Sequence, residues 1–169
     1  MSVQKLVECI RQKNNPTVAG LDARLEYIPS FIVSQCVERY GETLEAAAAA
    51  MQQFNISLID ALHDIVPAIK PQAAYYELLG PKGAEVLKNT IDYAHEKGMY
   101  VIADIKRNDI GATASAYAEA YLGCTKVGGK ELPVYNADSC TVNAYLGTDG
   151  IEPFLKAVSY THLTLPTKA

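Results

Sequence analysis

The sequence has no apolar run approaching the length of a membrane span, and its amino terminus lacks the basic-then-apolar pattern of a secretory signal. Both absences lead to the expectation of a soluble, cytoplasmic protein. Cysteine is sparse: Cys9, Cys36, Cys124 and Cys140 are far apart and form no C-x-x-C pair, so neither a zinc site nor a disulfide framework is expected. An excess of charge of one sign is also missing. The net charge is −4, and Lys and Arg are scattered, which argues against nucleic acid or an anionic membrane as a partner. An anionic small molecule remains open, because local charge matters more than the total. No glycine-rich dinucleotide fingerprint or phosphate loop follows the first strand-like run. Gly128-Gly129-Lys130 lacks the spacing and the hydroxyl of a Walker motif, so the segment 123–136 reads as a flexible loop.

What is present suits one ordinary domain: 169 residues, 49% of them apolar, are enough to bury a core. Patterning predicts helices over 3–12, 31–40, 44–63, 84–97 and 113–121, and strands over 17–21, 65–69, 99–103 and 139–143. Leu44, Met51, Phe54, Leu58 and Leu62 fall near helical spacing, Gly98 supplies a helix stop after Lys97, and Pro71 is expected to end regular pairing after Lys70. Strands alternating with helices imply right-handed crossovers and a parallel sheet, hence an α/β fold.

Each predicted strand ends on polar side chains: Asp22, Lys70, the Asp104 and Lys106 pair, and Asn143. Active sites of such folds lie at the carboxyl ends of the strands, so these residues are candidates for one pocket, although Asn143 reads equally well as a turn former. The most informative stretch runs from Ala103 to Thr113, where an apolar strand leads into Asp-x-Lys-x-x-Asp. Asp104 and Lys106 share a face of the strand, and Asp109 follows on the loop. Opposite charges this close keep one another ionised, which leaves Lys106 as a proton donor in a fixed electrostatic frame. A surface ion pair would contribute little, and three charges within six residues after a buried-looking run fit a site better.

The segment Asp104-Ile105-Lys106-x-x-Asp109-Ile110-x-x-Thr113 resembles the signature of the orotidine 5′-phosphate decarboxylase family. Gly20-Leu21-Asp22-Ala23-Arg24, Ile69-Lys70-Pro71 and Thr141-Val142-Asn143-Ala144-Tyr145-Leu146-Gly147 resemble its bacterial branch with a longer loop before strand four. The resemblance implies a (β/α)8 TIM barrel, of which this chain holds the N-terminal half, and a homodimer when complete. It implies a carboxy-lyase that converts orotidine 5′-monophosphate to uridine 5′-monophosphate (UMP) in pyrimidine synthesis, with neither metal nor organic cofactor. It further implies that Lys70, Asp104, Lys106 and Asp109 form a charge array, with Lys106 the proton donor and Asp109 reaching into the site of the partner subunit. Asp22 corresponds to a ribose-hydroxyl ligand, Thr113 to a contact made alongside Asp109, and Asn143 stands as a substrate-binding candidate at the end of its strand.

A complete barrel needs at least about 200 residues, and four strands account for half of one. The family's phosphate grip and closing loop are expected in the other half. Residues 158–169 break the family pattern and read as translated sequencing-adapter DNA, so 1–157 is taken as a partial barrel and His162 as an accident of that tail. Without the phosphate grip the isolated fragment is expected to be inactive or nearly so, with exposed sheet edges. Two other readings stay open. One is a magnesium-dependent sugar-phosphate aldolase or decarboxylase of a related barrel, with carboxylates at Asp104 and nearby holding the cation. The other is a non-catalytic dimerisation fragment built on 109–121.

Overall fold

The computed structural model describes residues 2–157; the expected tail boundary at 158, and His162 with it, lie outside the described residues. The chain opens with helix α1 (Ser2–Lys13) and strand β1 (Val18–Leu21), then a single 3-10 turn (Leu25–Tyr27), α2 (Ser30–Tyr40) and α3 (Leu44–Leu62). Strand β2 (Ala68–Pro71) leads into α4 (Ala73–Glu77) and α5 (Gly80–Glu96), and β3 (Tyr100–Arg107) into α6 (Gly111–Leu122). The hairpin β4 (Cys124–Val127) and β5 (Lys130–Pro133) precedes β6 (Ser139–Val142) and α7 (Thr148–Ala157). Among the described residues no helix is long and apolar enough to cross a membrane.

Strands β1, β2, β3 and β6 form one parallel sheet in that order. Its spine is β3, whose Val101, Ala103 and Ile105 are buried. Local signals explain the elements. Thr43 caps α3 by accepting the N–H of Ala46, and Gly98, with a φ of 74°, closes α5 while the N–H of Met99 bonds the carbonyl of Ala94.

The structure departs from the sequence reading in four places. Strand β3 does not stop at Ala103 but runs on to Arg107, so the charged cluster lies within the strand, with a register shift between Ala103 and Arg107. Pro71 does not end pairing: it sits opposite Leu21, and a further bridge joins Gln72 to Asp104. A proline inside a ladder removes only the one bond its own N–H would make. The segment read as a flexible loop is the antiparallel β4–β5 hairpin. Its turn is Gly128 and Gly129, both at positive φ, 55° and 83°, as a two-residue type I′ connection requires. Helices α4 and α7 had no counterpart in the sequence reading, α4 because five residues are too few to show a period.

Two polar clusters, one buried and one half-buried, hold this frame. Asn55 on α3 donates to the Tyr76 hydroxyl on α4 (2.9 Å) and to Thr90 Oγ1 on α5 (3.0 Å), and burial pushes the Tyr76 phenol well above its usual range. At the amino end of the sheet, Asp138 accepts from Lys5 of α1 (2.5 Å) and from the backbone N–H of Val101 (2.8 Å), and meets His95 Nε2 at 2.9 Å. Gly83 lies where α5 presses on α4, since a Cβ there would fall 1.7 Å from the Tyr76 carbonyl oxygen. Replacing Gly83→Ala is expected to cost about 3 kcal/mol by forcing these helices apart, read as a lower midpoint in urea denaturation; an unchanged midpoint contradicts the packing described.

Candidate active site

The carboxyl ends of the four parallel strands bring Asp22, Lys70, Asp104 and Lys106 together. The centre is Asp104, whose side chain is only 8% exposed. Four donors from neighbouring segments reach its carboxylate. Lys106 Nζ (2.6 Å) and the Thr141 hydroxyl (2.7 Å) bond Oδ1, while Lys70 Nζ (3.0 Å) and Gln72 Nε2 (2.9 Å) bond Oδ2. A carboxylate offers about four lone-pair directions, so its acceptor capacity is filled. Lys70 also pairs with Asp22 Oδ1 at 3.3 Å, which extends the array to the end of β1.

These contacts set the charge states. Burial works to raise the Asp104 carboxyl, but the bonds from Lys106, Thr141 and Lys70 outweigh it and hold the group at about 2. Burial pulls Lys70 down, yet Asp104 and Asp22 together raise it above its ordinary value. Asp104 is therefore a carboxylate and Lys70 an ammonium across the physiological range. Lys106 differs from both in access: its side chain is 61% exposed, so an ammonium tethered to a buried carboxylate faces the open end of the sheet.

The other expected residues stand apart from this array in the single chain. Asp109 Oδ1 turns back to accept the N–H of Ile110 (2.8 Å), Thr113 is exposed on the first turn of α6, and Asn143 Oδ1 accepts the N–H of Tyr145 (2.8 Å) as a turn former does. The loop carrying Asp109 is seated against α7. Asn108 fills the space beside Gly150, where a Cβ would lie 1.8 Å from Asn108 Oδ1. Behind the loop, Arg107 pairs with Glu77 of α4 and lies over the Tyr117 ring of α6.

Gln72 and Thr141 were not among the residues the sequence singled out. Being neutral they carry no charge signal, but strand parity finds them: Gln72 is two residues beyond Lys70, and Thr141 two before Asn143.

Comparison with known proteins gives the family. The model of the orotidine 5′-phosphate decarboxylase / HUMPS family matches residues 42–165, a span that includes the whole Asp-x-Lys-x-x-Asp segment. The chain belongs to that family. An orotidine 5′-phosphate decarboxylase of Rhodopirellula baltica is 41% identical over 152 residues, covering 90% of this chain and 48% of that protein. The enzyme of the same name from Caldicellulosiruptor saccharolyticus is 37% identical and covers 90% and 50%. Among solved structures, Leishmania donovani OMP decarboxylase superposes with a TM-score of 0.67 at 28% identity, covering 92% of this chain and 49% of that one. The Plasmodium berghei decarboxylase, at 20% identity and a TM-score of 0.73, shares the fold. The chain thus spans about half the length of the decarboxylases it matches, and its parallel sheet with flanking helices is half of the (β/α)8 barrel.

The array makes the stability of this decarboxylase-family fold pH-dependent in a defined window. A carboxyl held at about 2 when folded, against an ordinary 3.8, contributes fully above the higher value and loses its contribution as the pH falls toward the lower one. Unfolding free energy measured by denaturant is expected to drop between roughly pH 4 and pH 2, and Asp104→Asn to flatten that part of the slope. An equal slope in the variant contradicts the charge state assigned to Asp104.

Proposed function

We propose that the native polypeptide carrying this chain removes carbon dioxide from orotidine 5′-monophosphate to give UMP, and works as a homodimer. The observation that carries this reading is the exposed Lys106 ammonium fixed 2.6 Å from the buried Asp104 carboxylate at the open end of the parallel strands. When the ring-carboxylate bond breaks, its electron pair stays on the ring carbon, and no adjacent carbonyl delocalises it. An ammonium already aimed at that carbon stabilises the developing charge and then delivers a proton, after which the amine is reprotonated from solvent. Lys106, Thr141 and Lys70 together keep Asp104 ionised, so Lys106 Nζ is held against a carboxylate. Asp104 itself lies where the substrate carboxylate is expected, and its repulsion is relieved as carbon dioxide departs.

The remaining residues take supporting parts in this reading. Asp22, at the end of β1, accepts a ribose hydroxyl, and Asn143 borders the substrate from the end of β6. Asp109 and Thr113, which leave the array of their own chain, act across the dimer interface, and Ile110 beside them is exposed, as a contact surface requires. The magnesium-dependent alternative finds less support. Both oxygens of Asp104 are engaged by ammonium and neutral donors, and among the described residues no three His, Cys, Asp or Glu side chains cluster as a ligand set.

Lys106→Ala in the native polypeptide is expected to lower the rate of UMP formation roughly 1,000-fold or more, since it removes both the stabilising charge and the proton. Activity is expected to survive EDTA. A variant that turns over like the wild type sinks the proposed role of Lys106, and activity abolished by EDTA and restored by magnesium favours the metal reading.

A further inference from the structure

Lys106 is an oddity of backbone as well as of charge. Its φ is 49°, in the left-handed region that a lysine within a strand rarely adopts. The ladder between β3 and β6 shows why. Ala103 faces Cys140 and Arg107 faces Val142, so four steps on β3 are matched by two on β6, and the surplus bulges out around Lys106. Only Thr141 lies between those two registers on β6. Its hydroxyl accepts the backbone N–H of Lys106 at 3.0 Å and donates to Asp104 Oδ1 at 2.7 Å, the same oxygen that Lys106 Nζ reaches at 2.6 Å. One hydroxyl has a single proton to give and lone pairs to accept with, so both roles are filled at once.

We infer that Thr141 is a positioning residue, whose hydroxyl locks the bulge of β3 and so sets where the Lys106 ammonium points. The inference rests on the reading of Lys106 as the reacting group. Hydroxyl, carboxylate, ammonium and backbone N–H close into one ring, from Thr141 to Asp104, from Asp104 to the Lys106 side chain, and from the Lys106 backbone to Thr141. Without the hydroxyl the N–H of a strained residue loses its acceptor, and the left-handed conformation loses the bond that locks the bulge in place. In an ordinary strand the Lys106 side chain leaves its present direction. Thr141 needs no contact with substrate for this.

The test compares Thr141→Val, which keeps the shape and loses the hydroxyl, with Thr141→Ser, which keeps the hydroxyl, in the native polypeptide. Thr141→Ala replaces the valine variant if that one does not fold. Two quantities are read: kcat and KM for orotidine 5′-monophosphate, and the titration of the Asp104 carboxyl carbon by NMR in the free protein. The valine variant is expected to lose roughly 100-fold in kcat, the scale of a misplaced catalytic group, with KM changed less than about 3-fold. Asp104 is expected to titrate at higher pH in that variant, and serine to restore both readouts. Wild-type kcat in the valine variant overturns the inference whatever the Asp104 titration, and so does a serine variant as impaired as valine. If the wild type itself fails to decarboxylate, the proposed function has failed, and the Lys106 backbone decides the positioning role: a crystal structure of the valine variant that keeps its φ near 49° overturns it.

Discussion

One buried carboxylate governs the mouth of this sheet. Asp104 sits on the most buried strand, in surroundings that on their own favour the neutral acid, and it stays ionised because four donors converge on it. Removing any one leaves an under-compensated buried charge, which is why such groups are held by their neighbours so completely. The donors come from β2, from the residue just beyond it, from β3 itself and from β6, so the carboxylate ties three strands at the carboxyl end of the sheet.

The opposite end of β3 is anchored by a second carboxylate with a different role. Asp138 takes the Val101 N–H and the side chains of Lys5 and His95, joining the helix that opens the chain to the start of the sheet, and these bonds hold it below its usual range despite burial. Its own lysine, Lys5, is less open than Lys106, 42% exposed against 61%. Of the two clusters, the one at the amino end maintains the sheet and the one at the carboxyl end presents an ammonium, the division of labour expected of a barrel's two faces.

Much of this was legible in the sequence. Alternating strands and helices gave a parallel sheet, and alternation along β3 rightly put Asp104 and Lys106 on one side. Backbone geometry that departs from the ideal left no such mark in the sequence. Strand periodicity assumes a regular pleat, but β3 carries a bulge at Lys106, so the direction of that ammonium depends on a hydroxyl from another strand, 35 residues away. Neutral donors such as Gln72 and Thr141 carry no charge signal, only their strand parity with Lys70 and Asn143. The glycine pair at 128 and 129, passed over as flexibility, was a hairpin turn with two positive φ angles. Asp109 was read from the charge cluster and Thr113 through family resemblance, and within a single chain both stay outside the array.

The account stands or falls on where Lys106 points when a nucleotide is bound. A high-resolution crystal structure of the native polypeptide with UMP is the most direct measurement. The account predicts Lys106 Nζ at about 3 Å from the ring carbon that lost its carboxylate, the reach of proton transfer, with Asp104 still bonded by Lys70, Gln72, Lys106 and Thr141. A Lys106 side chain turned away from the pyrimidine, or an Asp104 released from these partners to bind a cation, contradicts it.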